Sequence, residues 1–177
     1  MIGCIIQARL GSTRLPRKIM MNLDGEHSVL DYVVNQLKFC TYLDKIIIAT
    51  TTLKQDDLLV KYSKNNGLGY FCGDENDVLD RFYQCARNFS FSIIVRVTSD
   101  CPLIDPTVVD TVIDKFIKGN FDYATNKLPL RNSKCPHGTE VEVFSFKALE
   151  TTWLESKKIS QREHVTPYIY DNPKKFS

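Results

Sequence analysis

Four cations, Arg9, Arg14, Arg17 and Lys18, sit in a short loop that also contains Gly11, Ser12 and Pro16. The loop follows at once on the apolar run Ile2–Ile6, which reads as a buried strand. A strand that empties into such a loop builds a polyphosphate site. Gly11 lets the backbone approach closely, and successive N–H groups can point at oxygens. Arginine offers forked hydrogen bonds to phosphate, and lysine offers a point charge. The loop lacks the Gly-Lys-Ser/Thr ending of a P-loop, and its single glycine is too few for a dinucleotide fingerprint. The alternative is a solvated basic turn.

The second chemical stretch is Arg96-Val97-Thr98-Ser99-Asp100-Cys101-Pro102-Leu103-Ile104-Asp105-Pro106. Asp100 comes just after an apolar strand, where a carboxylate faces a cleft. Magnesium binds through one or two carboxylates plus phosphate oxygens and keeps several waters, so Asp100 is the candidate metal ligand. Otherwise it forms a turn with Pro102. Asp105 reads as a helix cap rather than a ligand.

Two further groups of residues are weaker candidates. Gly73 closes an apolar run, and Asp77 and Arg81 stand four apart on the helix that follows. Those two could also simply pair with each other. Alternation along Glu140-Val141-Glu142-Val143-Phe144 puts both glutamates on one face of a half-buried strand. There they could bind hydroxyls or be plain solvated charge.

Strands and helices must position these groups. Strands are expected at Ile2–Ile6, Lys45–Thr50, Leu68–Cys72, Ser92–Val97, Phe121–Ala124 and Glu140–Phe144. Helices are expected after Ser28 as N-cap, around Leu58–Tyr62, after Asn76 as N-cap, from Asp105-Pro106, after Ser145, and from a Ser160–Glu163 capping box up to Pro167. Strands alternating with helices imply an α/β fold, a mostly parallel sheet with helices on both faces. Ligands then sit outside the carboxyl ends of the strands. Loop 9–18, Thr50 and Thr51, Gly73 and loop 98–105 are therefore expected to converge on one cleft.

The bulk properties bound the function. The 177 residues make one domain, 1–177, with enough length for a core. A net charge of +2 is far from the strongly basic footprint of a nucleic-acid binder. Six cysteines form no Cys-x-x-Cys pair and the three histidines are scattered, so free thiols in a reducing cytosol and no zinc site are expected. Met1 leads straight into a short strand, so neither a signal peptide nor a membrane helix is expected.

The loop residues, taken as Gln7-Ala8-Arg9-x-Gly11-Ser12-x-Arg14-Leu15-Pro16-x-Lys18, resemble the opening of the cytidylyltransferases that activate sugar acids. The nearest likeness is to the spore coat polysaccharide biosynthesis protein F type, a relative of the CMP-KDO and CMP-acylneuraminate synthetases. Thr98-x-Asp100-x-Pro102-Leu103 is similar to that family's metal-binding segment. Gly73-x-x-x-Asp77-Val78-Leu79-x-Arg81-Phe82 is similar to the segment bordering its nucleotide pocket. Glu140, Glu142 and the run Arg162–Tyr168 with His164 match segments that face the acceptor or shape the dimer.

The resemblance implies a Rossmann-like, GT-A-like nucleotide-diphospho-sugar transferase fold. It implies a magnesium-dependent, cytoplasmic, homodimeric enzyme that moves CMP from CTP to a sugar acid and releases pyrophosphate, with no membrane or nucleic-acid partner. Nucleotide contacts would come from Gln7, Ala8, Arg9, Gly11, Ser12, Arg14, Lys18, Thr50, Thr51, Gly73 and Arg81. Arg9, Arg14, Lys18 and Asp100 would be catalytic, with Mg2+ on Asp100. Glu140, Glu142 and His164 would meet the acceptor, and Leu128, Pro129 and Leu130 would offer dimer surface. Family members continue into a further acidic segment that supplies a second metal carboxylate, and the sequence is expected to stop short of it. The rivals are a glycosyltransferase or sugar-phosphate nucleotidylyltransferase of the same fold, and a nucleotide-binding subunit without catalysis.

Overall fold

The computed structural model describes residues 1–12, 14–127 and 136–177. A six-stranded sheet runs through the middle. It comprises β1 (Ile2–Gln7), β2 (Lys45–Thr51), β3 (Gly69–Gly73), β4 (Ile93–Thr98), β5 (Tyr123–Thr125) and β6 (Glu142–Ser145). The strand order is β3-β2-β1-β4-β6-β5. β1 pairs in parallel with both β2 and β4, and β2 with β3. Only β6 runs against its neighbours, β4 and β5. The chain steps from β1 to one side for β2 and β3, then to the other side for β4. That reversal opens a crevice at the carboxyl ends of β1 and β4.

Seven helices are described: α1 (Val29–Leu37), α2 (Asp57–Asn65), α3 (Val78–Asn88), α4 (Pro106–Gly119), α5 (Phe146–Glu155), α6 (Ile159–His164) and α7 (Pro167–Tyr170). Alternation along β1 divides the core. Cys4 and Ile6 pack toward Leu30, Val33 and Val34 of α1 and Val109, Ile113 and Phe116 of α4. Ile5 faces the other way, toward Leu79 and Phe82 of α3 and Leu149 of α5. Burying each such side chain contributes about 1.5–3 kcal/mol. At Gly3 any side chain would collide with the Phe91 ring, 2.2 Å from a Cβ built there.

Caps behave largely as their chemistry dictates. Ser28 and Asp31 form a reciprocal capping box on α1, Asp105 accepts from Thr107 and Val108, and Ser145 accepts from Ala148. Three expectations are corrected. The N-cap of α3 is Asp77, not Asn76. α6 begins at Ile159 behind Lys158, with no side-chain cap, so the Ser160 box does not form. β6 starts only at Glu142 and is buried on both faces, because Val143 packs with the α4 side of the core and Phe144 with the α5 side, while β4 and β5 close its edges.

Among the described residues no helix is long and apolar enough to cross a membrane. Cys4, Cys40, Cys72, Cys85 and Cys101 are free thiols. Cys135 and the apolar trio Leu128, Pro129 and Leu130 lie outside the described residues.

Candidate functional site

The crevice begins where β1 ends. The Ala8 N–H still follows the ladder, donating to Ala49 C=O at 3.0 Å. The chain then leaves the sheet and returns on itself: Arg17 N–H donates to Leu10 C=O at 3.1 Å. Arg17 takes a left-handed conformation there, φ 57°. Buried Leu10 anchors one end of the loop, and buried Ile19, in the short 3-10 turn Lys18–Met20, anchors the other. Between these apolar anchors Arg9, Ser12, Arg14 and Lys18 join Gln7 and Ala8 in lining a cavity of about 660 Å3. Gly11 lies just behind, where a Cβ would sit 3.0 Å from the Gln55 amide nitrogen.

β4 supplies the facing wall through Arg96, Thr98, Ser99 and Asp100. Lys18 Nζ pairs with Asp100 Oδ2 and joins the two walls. Partial burial works against the Asp100 carboxylate, but the Lys18 ammonium and the Thr98 hydroxyl outweigh it, so its pKa lies below the usual range.

The third wall comes from the loop after β3 and from α3. Glu75 meets Arg9 at 3.4 Å. Arg81 is 2% exposed and lines the cavity. Its Nη1 donates to Asp74 C=O at 2.6 Å, its Nε has no hydrogen-bond partner, and no carboxylate pairs with it among the described residues. Burial, with the Arg9 charge nearby, pulls its pKa below the ordinary arginine value. Gly73 makes room for this side chain, since a Cβ there would stand 3.0 Å from Arg81 Cγ. The suggested Asp77–Arg81 pair does not form. Asp77 pairs instead with Arg162, at 2.7 Å.

The last wall is α6, through Ile159, Glu163 and His164. α6 ends in a tight turn: Val165 has φ 71° and ψ −58°, and Thr166 N–H donates to His164 C=O at 2.9 Å. That conformation is rare and strained for a β-branched residue. Thr166 is held from below, its hydroxyl donating to Glu142 at 2.6 Å.

Loops after β1, β3 and β4 thus converge, and the end of β2 does not. Thr50 and Thr51 are buried within the sheet at 0% and 2% exposure and line no part of the cavity. Thr51 donates to Asp56, and Thr50 Oγ1 has no partner among the described residues. The expected convergence of the β2 end on this cavity is corrected. So is the open-face reading of Glu142. It is 6% exposed, ion-paired with Arg96, and accepts from Tyr123 at 2.7 Å. Burial is the largest single influence and pushes its pKa up, but Arg96, Thr166 and Tyr123 together outweigh it and hold the pKa below the ordinary value. Glu140 lies outside strand and cavity lining, and its carboxylate accepts from Gly138 N–H at 2.7 Å.

Arg96 and Glu163 went unassigned in the sequence. Arg96 had a signal: it is the only charged residue in the run Ser92–Thr98, two places before Thr98 and four before Asp100. Glu163 had none beyond its neighbour His164.

Known proteins resemble this chain in sequence and in fold. A family model described as Cytidylyltransferase matches residues 3–177. An uncharacterized protein of Methanocaldococcus jannaschii is 43% identical over 172 residues, 97% of this chain and 68% of that protein. Spore coat polysaccharide biosynthesis protein SpsF of Bacillus subtilis is 33% identical over 96% of this chain and 70% of its own length. The solved structure of a cytidylyltransferase from Leptospira borgpetersenii superposes with a TM-score of 0.91 at 34% identity, covering 99% of this chain and 73% of that one. The chain belongs to the cytidylyltransferase family.

Proposed function

We propose that the chain binds CTP in this cavity and transfers its cytidylyl group to a hydroxyl of a sugar acid or related acceptor. The observation that carries the reading is one cavity in which Arg9, Arg14, Lys18 and the buried, unpaired Arg81 stand opposite Asp100. Arg81 has no ion-pair partner among the described residues, Asp56, Asp74 and Glu75 offset its charge only from a distance, and an anionic ligand would complete it. The family supplies the nucleotide class, and the likeness to a spore coat polysaccharide protein supports a role in surface polysaccharide synthesis.

In the reaction, the acceptor oxygen forms a bond to the α-phosphorus as the bond from that phosphorus to the bridging oxygen breaks. Pyrophosphate leaves with the electron pair, and the hydroxyl proton passes to water. Arg9, Arg14 and Lys18 would grip the β- and γ-phosphates and spread the charge that develops on the leaving group. Gln7, Ala8 and Ser12 would add polar contacts, and Gly11 and Gly73 let the backbone and Arg81 come close.

Magnesium fits the donor chemistry. Asp100 is a partly exposed carboxylate facing the phosphate-binding loop, and such an ion takes its other ligands from phosphate and water. It would add charge neutralisation at the triphosphate. On the acceptor side, His164 and Glu163 face the cavity, while Glu142 acts through Arg96 and Thr166. The same reading makes the protein a cytoplasmic homodimer, which light scattering at micromolar concentration would check.

A pyrophosphate-release assay with CTP, magnesium and a panel of sugar acids tests the proposal. Release that depends on one acceptor is expected. CTP binding without release for any acceptor would favour a nucleotide-binding subunit without catalysis.

A further inference from the structure

Asp56 is a carboxylate with no solvent exposure, placed directly beneath the basic loop. One oxygen accepts from the Leu10 N–H at 2.8 Å, across 46 residues of sequence. The other accepts from the Thr51 hydroxyl at the end of β2, and that hydroxyl in turn accepts from Leu53 N–H at 3.1 Å. No cation forms an ion pair with Asp56 among the described residues. Burying a carboxylate this way is expensive. Its charge also opposes any anion that enters the loop above. Asp56 stands near enough to the buried Arg81 to offset part of that charge, and its direct contacts are the hydrogen bonds from Leu10 and Thr51.

That bond falls at the neck of the loop. The Leu10 backbone is used on both sides: its N–H goes to Asp56 and its C=O receives the Arg17 N–H. Fixing this one residue fixes where the loop leaves the sheet and where it returns. Arg9 and Gly11 flank the pinned residue, so the direction in which Arg9 enters the cavity is set before any ligand arrives. Pre-organised binding groups lose less entropy when ligand binds.

We propose that Asp56 is a positioning residue for the triphosphate, acting by hydrogen-bonding the Leu10 peptide and so holding the basic loop in its binding shape. This rests on the reading that the loop binds CTP. Three variants separate geometry from charge. Asp56→Ala removes the pin. Asp56→Glu keeps the charge and moves the carboxylate by one methylene. Asp56→Asn removes the charge and keeps an oxygen that can accept from Leu10.

Calorimetric titration with CTP and magnesium should show affinity at least tenfold weaker for the alanine and glutamate variants. The asparagine variant should bind within threefold of wild type, or more tightly. Where alanine does not fold, the contrast between glutamate and asparagine decides. Wild-type affinity in the glutamate variant, or an equal loss in the asparagine variant, would overturn the proposal. A wild-type chain that bound no CTP would overturn the underlying reading, and this with it. CTP binding that all the variants retained unchanged would overturn the positioning role alone.

Discussion

The Lys18 ammonium pairs with the Asp100 carboxylate across the cavity, joining the loop after β1 to the loop after β4 over 82 residues of sequence. One partner is the proposed phosphate ligand and the other the proposed metal ligand. Without nucleotide they neutralise each other. A triphosphate carrying magnesium offers each a replacement of the right sign, so ligand entry exchanges one ion pair for two contacts.

Lys18→Ala should therefore weaken CTP binding while the fold persists. Loss of one charge-assisted contact costs about 1.5–3 kcal/mol, or roughly 10- to 100-fold in affinity. Lys18 is partly exposed, so little packing is lost. Calorimetry checks this, and unchanged affinity would remove Lys18 from the site.

Asp100→Asn should abolish magnesium-dependent turnover and leave the circular dichroism spectrum native. The amide matches the carboxylate in shape and lacks the charge that the ion requires. Rates near wild type at saturating magnesium would place the metal elsewhere.

Arg81→Met should separate stability from binding. The substitution removes a buried charge that has no ion-pair partner among the described residues and fills the space with an apolar chain of similar length. The desolvation cost recovered works against the lost hydrogen bond to Asp74 and the lost charge near Asp56. The expected result is a melting temperature little changed, with CTP affinity down at least tenfold. A large fall in melting temperature with affinity intact would make Arg81 a structural residue.

Acid should destabilise the protein partly through Glu142. Its folded pKa lies below the ordinary glutamate value of 4.5. Between the folded and unfolded values, unfolding takes up a proton, so falling pH favours the unfolded chain. The stabilisation is complete above the unfolded value and is lost as pH falls through the folded one. Urea unfolding of wild type and Glu142→Gln from pH 7 to pH 3 tests this. The variant should be less stable at pH 7 and show a shallower acid limb, and parallel curves would contradict the account.

Much of the architecture was legible because it is local. The apolar runs of β1, β2 and β4, the caps at Ser28, Asp105 and Ser145, and the cationic loop all announce themselves within a few residues. What failed depended on distant neighbours. Alternation at Glu140–Phe144 imitates a half-exposed strand, but Glu142 is closed in by Arg96, Tyr123 and Thr166, between 19 and 46 residues away. Thr51 looked like a residue past a strand ending at Thr50, yet β2 runs on through Thr51 beside β3. The turn that presents His164 could not be read at all, since valine is among the residues least suited to a positive φ.

A cavity built for CTP must choose it over the other nucleoside triphosphates. Calorimetric titration of the wild-type chain with CTP, UTP, ATP and GTP, each with and without magnesium, tests that choice most directly. CTP should bind tightest, with magnesium strengthening the interaction and Asp100→Asn removing that increment. Equal affinity for all four nucleotides, or no heat with CTP at all, would contradict it.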